Sequence, residues 1–268
     1  MNRCLAFLLL LVMIACTRER EEPVAWSLEV LPSIFSVITP GSTVKVYISS
    51  TYGDSELSYP QAKAYITDDA GNKVELVRRD SVFIDSCQYV QVAKGKTYRL
   101  TIELGDGSPL LTASTTVPNE AAVFSEYFFQ PIDSTNEFQN TAYFRCKWSA
   151  VPTDLSSDNY WIKTSWGWSI DATKNADDTY QVLTSQLIYP KEEDDYHISL
   201  LTADIALGRY LLNERYQDVV LTEGMDFFNV IISEFSGTLP DFSNIENGVG
   251  LFGSYLSHTR DLEGNVVQ

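Results

Sequence analysis

The chain is poor in histidine and in positive charge. It has two histidines, His197 and His258, and 36 acidic residues against 19 lysines and arginines, which gives a formal net charge of −17. With so few histidines, and without an H-E-x-x-H or a G-x-S-x-G motif, a zinc site or a serine–histidine triad is hard to assemble. The acidic balance argues against nucleic-acid binding, because phosphate backbones are repelled. The sequence therefore points to no catalytic residue, no metal site and no cofactor, and leaves open a carboxylate pair of the kind that glycosidases use.

Long apolar runs are also scarce, and the one that stands out lies at the N-terminus. Arg3 precedes an apolar stretch at residues 5–14, and Ala15 and Cys16 follow it. This run is too short to span a bilayer with any margin. A basic start, a short apolar run and a small residue at the cleavage site are typical of a secretory signal peptide. We expect residues 1–15 to be that signal peptide.

The residues before the cleavage site resemble a bacterial lipobox. Met13, Ile14 and Ala15 precede Cys16, with methionine where leucine is usual. The resemblance implies lipidation of Cys16 on its sulfur and amino group, and more than one acyl chain gives stable anchoring. Residues 16–24 are then the lipidated cysteine and a charged tether. Its acidic residues resemble the signal that sends Bacteroidetes lipoproteins to the outer face of the outer membrane, and a plain solvated linker is the alternative.

Alternation of apolar and polar residues with a period of two runs through both halves of the mature chain. Residues 43–49 and 97–104 show it clearly, and the turn signal at residues 68–72 separates two such segments. Aromatic residues make up 12% of the chain, which favours strands. The sequence therefore predicts an all-β protein with two β-sandwich-like domains. The first, immunoglobulin-like, covers residues 25–118, and a C-terminal β domain covers residues 119–268.

The second half contains the same kind of short strand pattern. Strands are predicted at residues 141–149, 160–170, 180–188, 196–202 and 227–235. One short helix is predicted, at residues 207–216. No internal repeat of fixed period is present.

The aromatic-rich stretch at residues 160–168 suggests either ligand stacking or core packing. By strand register, Trp166 and Trp168 share a face with the apolar residues of this stretch and are expected in the core. Trp161 lies on the other face beside Lys163, and it is therefore the candidate for an exposed ligand-binding platform. Core packing is the favoured interpretation of the stretch as a whole, since large aromatic side chains dominate β cores.

Two cysteines remain in the mature chain besides Cys16. Cys87 and Cys146 form a disulfide in one interpretation, since the chain is predicted to enter an oxidising compartment. In the favoured interpretation they are two separate buried thiols. The reasons are that they fall in different predicted domains and that Cys146 lies on an apolar strand face.

Two acidic loops carry the kind of oxygen ligands that calcium prefers. Asp171, Asn175, Asp177 and Asp178 lie in one loop, and residues 192–195 are consecutive acids. A calcium site needs six or more closely placed oxygens, and the ligand order of an EF-hand is absent. Solvated loops are the favoured interpretation of both.

The last organised stretch reads N-I-E-N-G-V-G-L-F-G over residues 244–253. Gly248, Gly250 and Gly253 match G-x-G-x-x-G, but too few residues follow for the βαβ unit that a dinucleotide site requires. Asn247 followed by glycine is a strong turn signal. We expect a tight glycine turn that leads into the last strand, with small residues where another backbone passes close.

Four features together resemble one family. They are this closing motif, the lipobox, a first sandwich that ends in Gly105-Asp106-Gly107, and a second domain rich in tryptophan and tyrosine. The family is one of Bacteroidetes outer-membrane lipoproteins of unknown function, commonly encoded beside TonB-dependent receptors. The resemblance implies a protein held on the outer membrane through its lipid anchor at Cys16, on the cell-surface side. It implies a non-enzymatic binding or accessory partner of a TonB-dependent nutrient receptor. A structural or adhesive role, as in fimbria-associated lipoproteins, is the alternative, because the fold suits both.

Overall fold

Strands dominate the described part of the chain. The computed structural model describes residues 31–50, 59–105, 107–132, 140–151, 159–164, 167–169, 173–188, 197–211, 242–261 and 266–267. The strands of the first half are β1 (Pro32–Ile38), β2 (Lys45–Ser50), β3 (Lys63–Asp68), β4 (Lys73–Glu75), β5 (Val77–Arg79), β6 (Val82–Ile84), β7 (Thr97–Glu103) and β8 (Leu111–Thr116).

The second half adds further strands and one described helix. They are β9 (Phe124–Ile132), β10 (Asn140–Ser149), β11 (Tyr160–Thr164), β12 (Gly167–Ser169), β13 (Thr173–Lys174), β14 (Thr179–Ile188), β15 (His197–Ala203), helix α1 (Ile205–Leu211), β16 (Val249–Asp261) and β17 (Val266–Val267). The all-β, sandwich-like fold class is therefore confirmed.

These strands form one large sheet and two small ones. The nine-stranded sheet has the order β12-β11-β15-β16-β1-β2-β6-β5, and β17 pairs with β16. The four-stranded sheets have the orders β4-β3-β7-β8 and β13-β14-β10-β9. The pair of β1 with β16 is parallel, whereas the neighbouring pairs of β1 with β2 and of β15 with β16 are antiparallel.

Strand β16 connects the two halves of the large sheet. Its residues 249–254 pair with β1, and its residues 255–261 pair with β15. A strand near the C-terminus thus lies beside the first described strand. Parallel strands cannot be joined by a short hairpin and need a long crossover connection, which here comprises residues 39–248.

The large sheet is buried on both faces at its centre. All seven residues of β1 are buried. Since successive side chains point to opposite faces, Ile34 and Ile38 enter the first core, under the sheet that contains β7. Phe35 and Val37 point to the other face, where they pack in a helix core with Tyr210 of α1. A further core lies between the sheet of β10 and strands β11 and β15, and contains Trp148, Tyr160 and Leu200.

The first core takes residues from both sides of the boundary predicted after Pro118. Ile245, Phe252 and Leu256 belong to the same buried cluster as Ile34. By their contacts, residues Leu31–Gln268 form one compact unit. The domain ranges 25–118 and 119–268 stay predictions about independent folding.

Most predicted strands lie where the alternation indicates, with two exceptions among the described residues. The segment after the turn at residues 68–72 divides into β4, which pairs with β3, and β5, which pairs with β6 in the large sheet. Residues 160–170 are not a single strand, because β11 and β12 pair with each other as antiparallel strands. The hairpin of β3 with β4 is confirmed, and Asp68 fixes its turn by accepting hydrogen bonds from the Ala70 and Asn72 N–H groups at 3.0 and 2.8 Å. Helix α1 begins two residues before the predicted one. The predicted strand at residues 227–235 lies outside the described residues.

Candidate functional site

Trp161 is buried, and the exposed-platform interpretation of this residue is wrong. Only 3% of it is exposed, and it belongs to the helix core with Leu207 and Tyr210. The physical reason is that β11 lies inside the large sheet and α1 covers the face to which Trp161 points. Its neighbours on the strand, Tyr160 and Ile162, enter the core on the opposite face. The favoured core-packing interpretation holds for these three residues.

The polar loop before β14 is a hydrogen-bonded turn. Asp177 Oδ1 accepts hydrogen bonds from the Thr179 hydroxyl at 2.5 Å and from the Thr179 N–H at 3.2 Å. Lys147 Nζ lies 3.3 Å from the other oxygen of Asp177. Asp178 pairs with Lys174 at 3.0 Å. The Thr179 hydrogen bonds hold the pKa of Asp177 below its usual value. These two carboxylates therefore have partners within the loop and beside it.

Several predicted positions lie outside the described residues, namely Cys16, Trp166, Asp171 and residues 192–195. In the part of the chain that the structure describes, no group of three or more histidine, cysteine, aspartate or glutamate side chains is placed to hold a metal ion. No described helix is both long enough and apolar enough to cross a membrane.

Both described cysteines are free thiols, which does not support the disulfide. Cys146 is buried, as expected from the apolar face of its strand, and burial raises its pKa to about 12. Cys87 is exposed, so the expectation of two buried thiols is wrong for this residue. The reason is its position in the turn after β6, beside Ser86, where no sheet covers the side chain.

The closing motif shapes the contact between β16 and its neighbours. Gly250 has a φ of +120°, and a Cβ there would collide with the Ile34 carbonyl, because β16 runs directly beside β1. At Gly253 a Cβ would lie 2.9 Å from Leu207 Cβ, so a glycine lets α1 approach the strand. In the turn before the strand, Asn247 is the residue with a positive φ, of +61°. A strand follows, where a dinucleotide site would need a helix.

The start of the same motif joins the large sheet to the edge of β8. Glu246 N–H donates to Thr112 O at 2.8 Å, Thr112 N–H donates to Glu246 O at 3.3 Å, and the Thr112 hydroxyl donates to the Glu246 carboxylate at 2.6 Å. The Asn244 side chain bonds both backbone groups of Phe252, at 2.8 and 2.9 Å. The motif thus has a structural role, and it forms one wall of a cleft.

A cleft of about 400 Å³ lies between β8 and the start of α1. We call it the β8–α1 cleft. It is lined by Ser114, Thr115, Thr116, Val117, Pro118, Asn119, Asp204, Ile205, Ala206, Phe242 and Asn244. Ligand pockets have volumes of about 300–1,000 Å³ and combine apolar walls with a few polar groups, and this cleft matches both criteria.

Asp204 is the buried polar centre of the cleft, with 7% of its surface exposed. Its carboxylate accepts hydrogen bonds from the Thr115 hydroxyl and, at 2.7 Å, from the Leu207 N–H, and the latter bond caps α1. The Thr115 hydroxyl also lies 2.8 Å from Ser254 Oγ. The Asn159 side chain donates to the Asp204 carbonyl at 2.9 Å. Burial raises the pKa of the Asp204 carboxyl to about 6, and the hydrogen bonds from the Thr115 hydroxyl and the Leu207 N–H oppose that rise.

Sequence reasoning missed both Asp204 and the cleft. The signal for Asp204 was present, since an aspartate directly before an apolar helical run is a typical N-cap. No such local signal exists for the cleft. Its walls come from residues 114–119, 204–206 and 242–244, which are far apart in the chain.

Comparison with known proteins gives one family. The family described as "Domain of unknown function (DUF4249)" matches residues 33–261. Among curated proteins, none matches the chain. A solved structure that resembles it is a segment of two fibronectin type-III domains from chicken tenascin, with 12% sequence identity and a TM-score of 0.23. That match covers 65% of this chain and 91% of the tenascin segment.

Proposed function

The chain belongs to the DUF4249 family of domains of unknown function, and from that premise we propose that it is a surface lipoprotein of the outer membrane. In this proposal it serves a TonB-dependent nutrient receptor as a non-enzymatic binding or accessory partner. The β8–α1 cleft is the observation that carries the binding role. The location rests on the lipobox-like residues before Cys16 and on the acidic tether after it.

The lining of the β8–α1 cleft supports binding better than catalysis. The lining offers hydroxyl and amide groups, from Ser114, Thr116 and Asn119. It also offers apolar side chains, from Ile205 and Phe242. The one carboxylate in the described lining already accepts hydrogen bonds from a threonine hydroxyl and from the backbone of α1. Groups of this kind orient a ligand through hydrogen bonds and apolar contact.

The charge of the chain supports attachment through lipid. A protein with a formal net charge of −17 is repelled by anionic lipid headgroups, so its surface does not hold it to a membrane. A cysteine that carries more than one acyl chain does, because each buried methylene adds about 0.8 kcal/mol. Cys16→Ser is therefore expected to abolish incorporation of labelled palmitate and to leave the protein uncleaved or released. A variant that is still processed and membrane-bound would contradict the location.

The partner is tested by affinity purification of the full chain, tagged at its C-terminus, from detergent-solubilised outer membrane. We expect a TonB-dependent receptor to be recovered with the wild-type protein in a stable ratio, and to be lost from the Cys16→Ser control. Recovery of no receptor would refute the partner role. Recovery of fimbrial subunits in its place would favour the structural or adhesive alternative.

A further inference from the structure

Among the described residues, no strand pairs with the outer edge of β8 where it borders the β8–α1 cleft. Strand β8 is the last strand of its four-stranded sheet and pairs with β7 on its inner side. On its outer side an isolated antiparallel bridge joins Thr112 to Glu246. The two following residues on the same side of the strand, Ser114 and Thr116, line the cleft.

The direction of the backbone groups on this edge follows from the antiparallel pattern. Thr112 exchanges both backbone hydrogen bonds with Glu246, so its N–H and C=O point away from β7. Since these groups reverse direction at each residue of a strand, those of Ser114 and Thr116 point the same way as those of Thr112. Within the described ranges, no backbone group pairs with either residue on this outer side.

This edge differs from the opposite edge of the same sheet. Strand β4 has three residues, and Lys73 and Glu75 are exposed on it. Short strands and charged side chains are how sheets discourage pairing with another chain. Strand β8 is twice as long and has exposed, uncharged Ser114 and Thr116 on the same side. By this criterion β8 is open to a further strand, and β4 is protected.

The facing wall of the β8–α1 cleft suits the side chains of such a strand. Ile205 is 54% exposed although it is a large apolar residue, and it lies in the lining with Ala206 and Phe242. Ala206 and Phe242 are half-buried, so this wall presents three apolar side chains beside the polar edge of β8. The Asn244 amide lies at the end where the bridge to Glu246 begins.

We propose that the β8–α1 cleft binds an extended, non-acidic segment of a partner protein, which adds a strand antiparallel to the outer edge of β8. The main-chain hydrogen bonds go to Ser114 and Thr116, and an apolar side chain of the segment packs on Ile205 and Phe242. Strand addition of this kind draws affinity from the backbone and specificity from alternate side chains. This inference rests on the proposed function, because the partner protein is the TonB-dependent receptor of that proposal.

One observation shows that this edge accepts a strand, and a second concerns the occupant. The bridge from Thr112 to Glu246 shows that this edge already pairs with a separate stretch of backbone, and the next two pairing positions continue the same line. Charge argues against a second copy of the chain, because two molecules with a net charge of −17 repel each other. It also argues for a segment without acidic residues.

The test uses a labelled model strand, the acetylated and amidated peptide KVTVTVK. Its binding to the released, soluble form of the Cys16→Ser protein is measured by fluorescence anisotropy. Ser114→Pro removes the outward N–H and leaves the hydrogen bonds to β7, because proline is tolerated at the open side of an edge strand. Ser114→Ala is the matched control, since it removes the hydroxyl and keeps the N–H. We expect about tenfold or greater weakening with Ser114→Pro and less than twofold change with Ser114→Ala.

A second measurement keeps the test valid if the proline variant is unstable. It uses the same peptide with N-methyl groups at alternate residues, so that the amides facing β8 cannot donate hydrogen bonds. The charge and side chains of this peptide are unchanged. We expect that it does not bind the Cys16→Ser protein. Equal binding of both peptides would overturn the proposal, as would equal weakening by Ser114→Ala and Ser114→Pro. A dimer in analytical ultracentrifugation that Ser114→Pro dissociates would assign the edge to a second copy and overturn it too.

Purification from solubilised outer membrane separates this inference from the proposed function. With the lipidated protein, Ser114→Pro is expected to lose the receptor and Ser114→Ala to keep it. A receptor recovered equally with wild type and Ser114→Pro would leave the accessory role standing and refute the β8 edge as its docking site. If no receptor is recovered and the peptide still binds through the edge, the accessory role fails and the strand-binding cleft stands.

Discussion

The buried carboxyl of Asp204 makes the stability of this protein depend on pH in a direction opposite to that of most acids. Burial raises its pKa from an ordinary value of 3.8 to about 6. The folded protein thus favours the neutral form. The contribution of this group to stability is fully present below pH 4 and is lost as the pH rises through about 6. Replacement by asparagine, which is always neutral, is expected to remove the loss.

The magnitude follows from the difference between the two pKa values. A rise of about two pH units corresponds to about 3 kcal/mol, at 1.36 kcal/mol for each unit. Asparagine caps a helix about as well as aspartate does, so the bond to the Leu207 N–H is expected to survive. The amide can donate to the Thr115 oxygen, while the Thr115 hydroxyl donates to Ser254. Asp204→Asn is therefore expected to stabilise the protein by about 3 kcal/mol at pH 7.5 and to change it little at pH 4.

The assay is urea unfolding of the soluble Cys16→Ser chain, with and without Asp204→Asn, at several pH values between 4 and 7.5. The difference between the two proteins isolates the one carboxyl, since every other acid is common to both. Asp178→Asn is the control, because Asp178 has 83% of its side chain exposed and a positive φ that asparagine tolerates. A difference for Asp204→Asn that is constant over this range, or that has the opposite sign at pH 7.5, would refute the reasoning.

Three further predictions concern the strands and the thiols. Gly250→Ala is expected to lower the free energy of unfolding by more than about 2 kcal/mol, because backbone strain and a collision with Ile34 combine there. The control Gly41→Ala, at a φ of +82° with open space around it, should lower it by about 1 kcal/mol. Equal losses in urea unfolding would contradict this prediction. In the Cys16→Ser protein at pH 8, Ellman's reagent should modify Cys87 at once and Cys146 only after denaturation; rapid modification of both would mean that Cys146 is not buried. Truncation after residue 244 should unfold the first sandwich as well as the second half, because Phe252 belongs to the first core; a protease-resistant fragment ending near residue 118 would contradict this.

Local pattern sufficed where a structure depends on neighbouring residues. The alternation at residues 43–49 places Val46 and Ile48 in the first core, and the turn at Asp68 forms the hairpin of β3 with β4. The capping position of Asp204 could have been recognised in the same way. Each of these is decided within about ten residues of chain, which is the range over which strand periodicity, turns and caps act.

Side-chain exposure was harder to predict, because it depends on what covers each strand. Trp161 looked like the exposed side of a strand with one buried face, but its strand lies inside a sheet that is buried on both faces. Whether one face or both faces of a strand are buried depends on which elements pack against it, and its own sequence shows this only in part. The exposure of Cys87 was mispredicted for the same reason, because it also depends on what covers the residue, and Cys87 lies in a turn that no layer covers.

By itself the amino-acid sequence determined the class of the fold, the position of most strands and the requirement for glycine near the C-terminus, because these follow from periodicity and backbone sterics. Only the tertiary structure decided that β16 runs parallel to β1, that the first core draws on both ends of the chain, and that a cleft opens beside β8. These features join segments that are far apart in the chain. Their pairing is chosen by the collective burial of apolar surface over the whole molecule, and no local pattern in the chain records that choice.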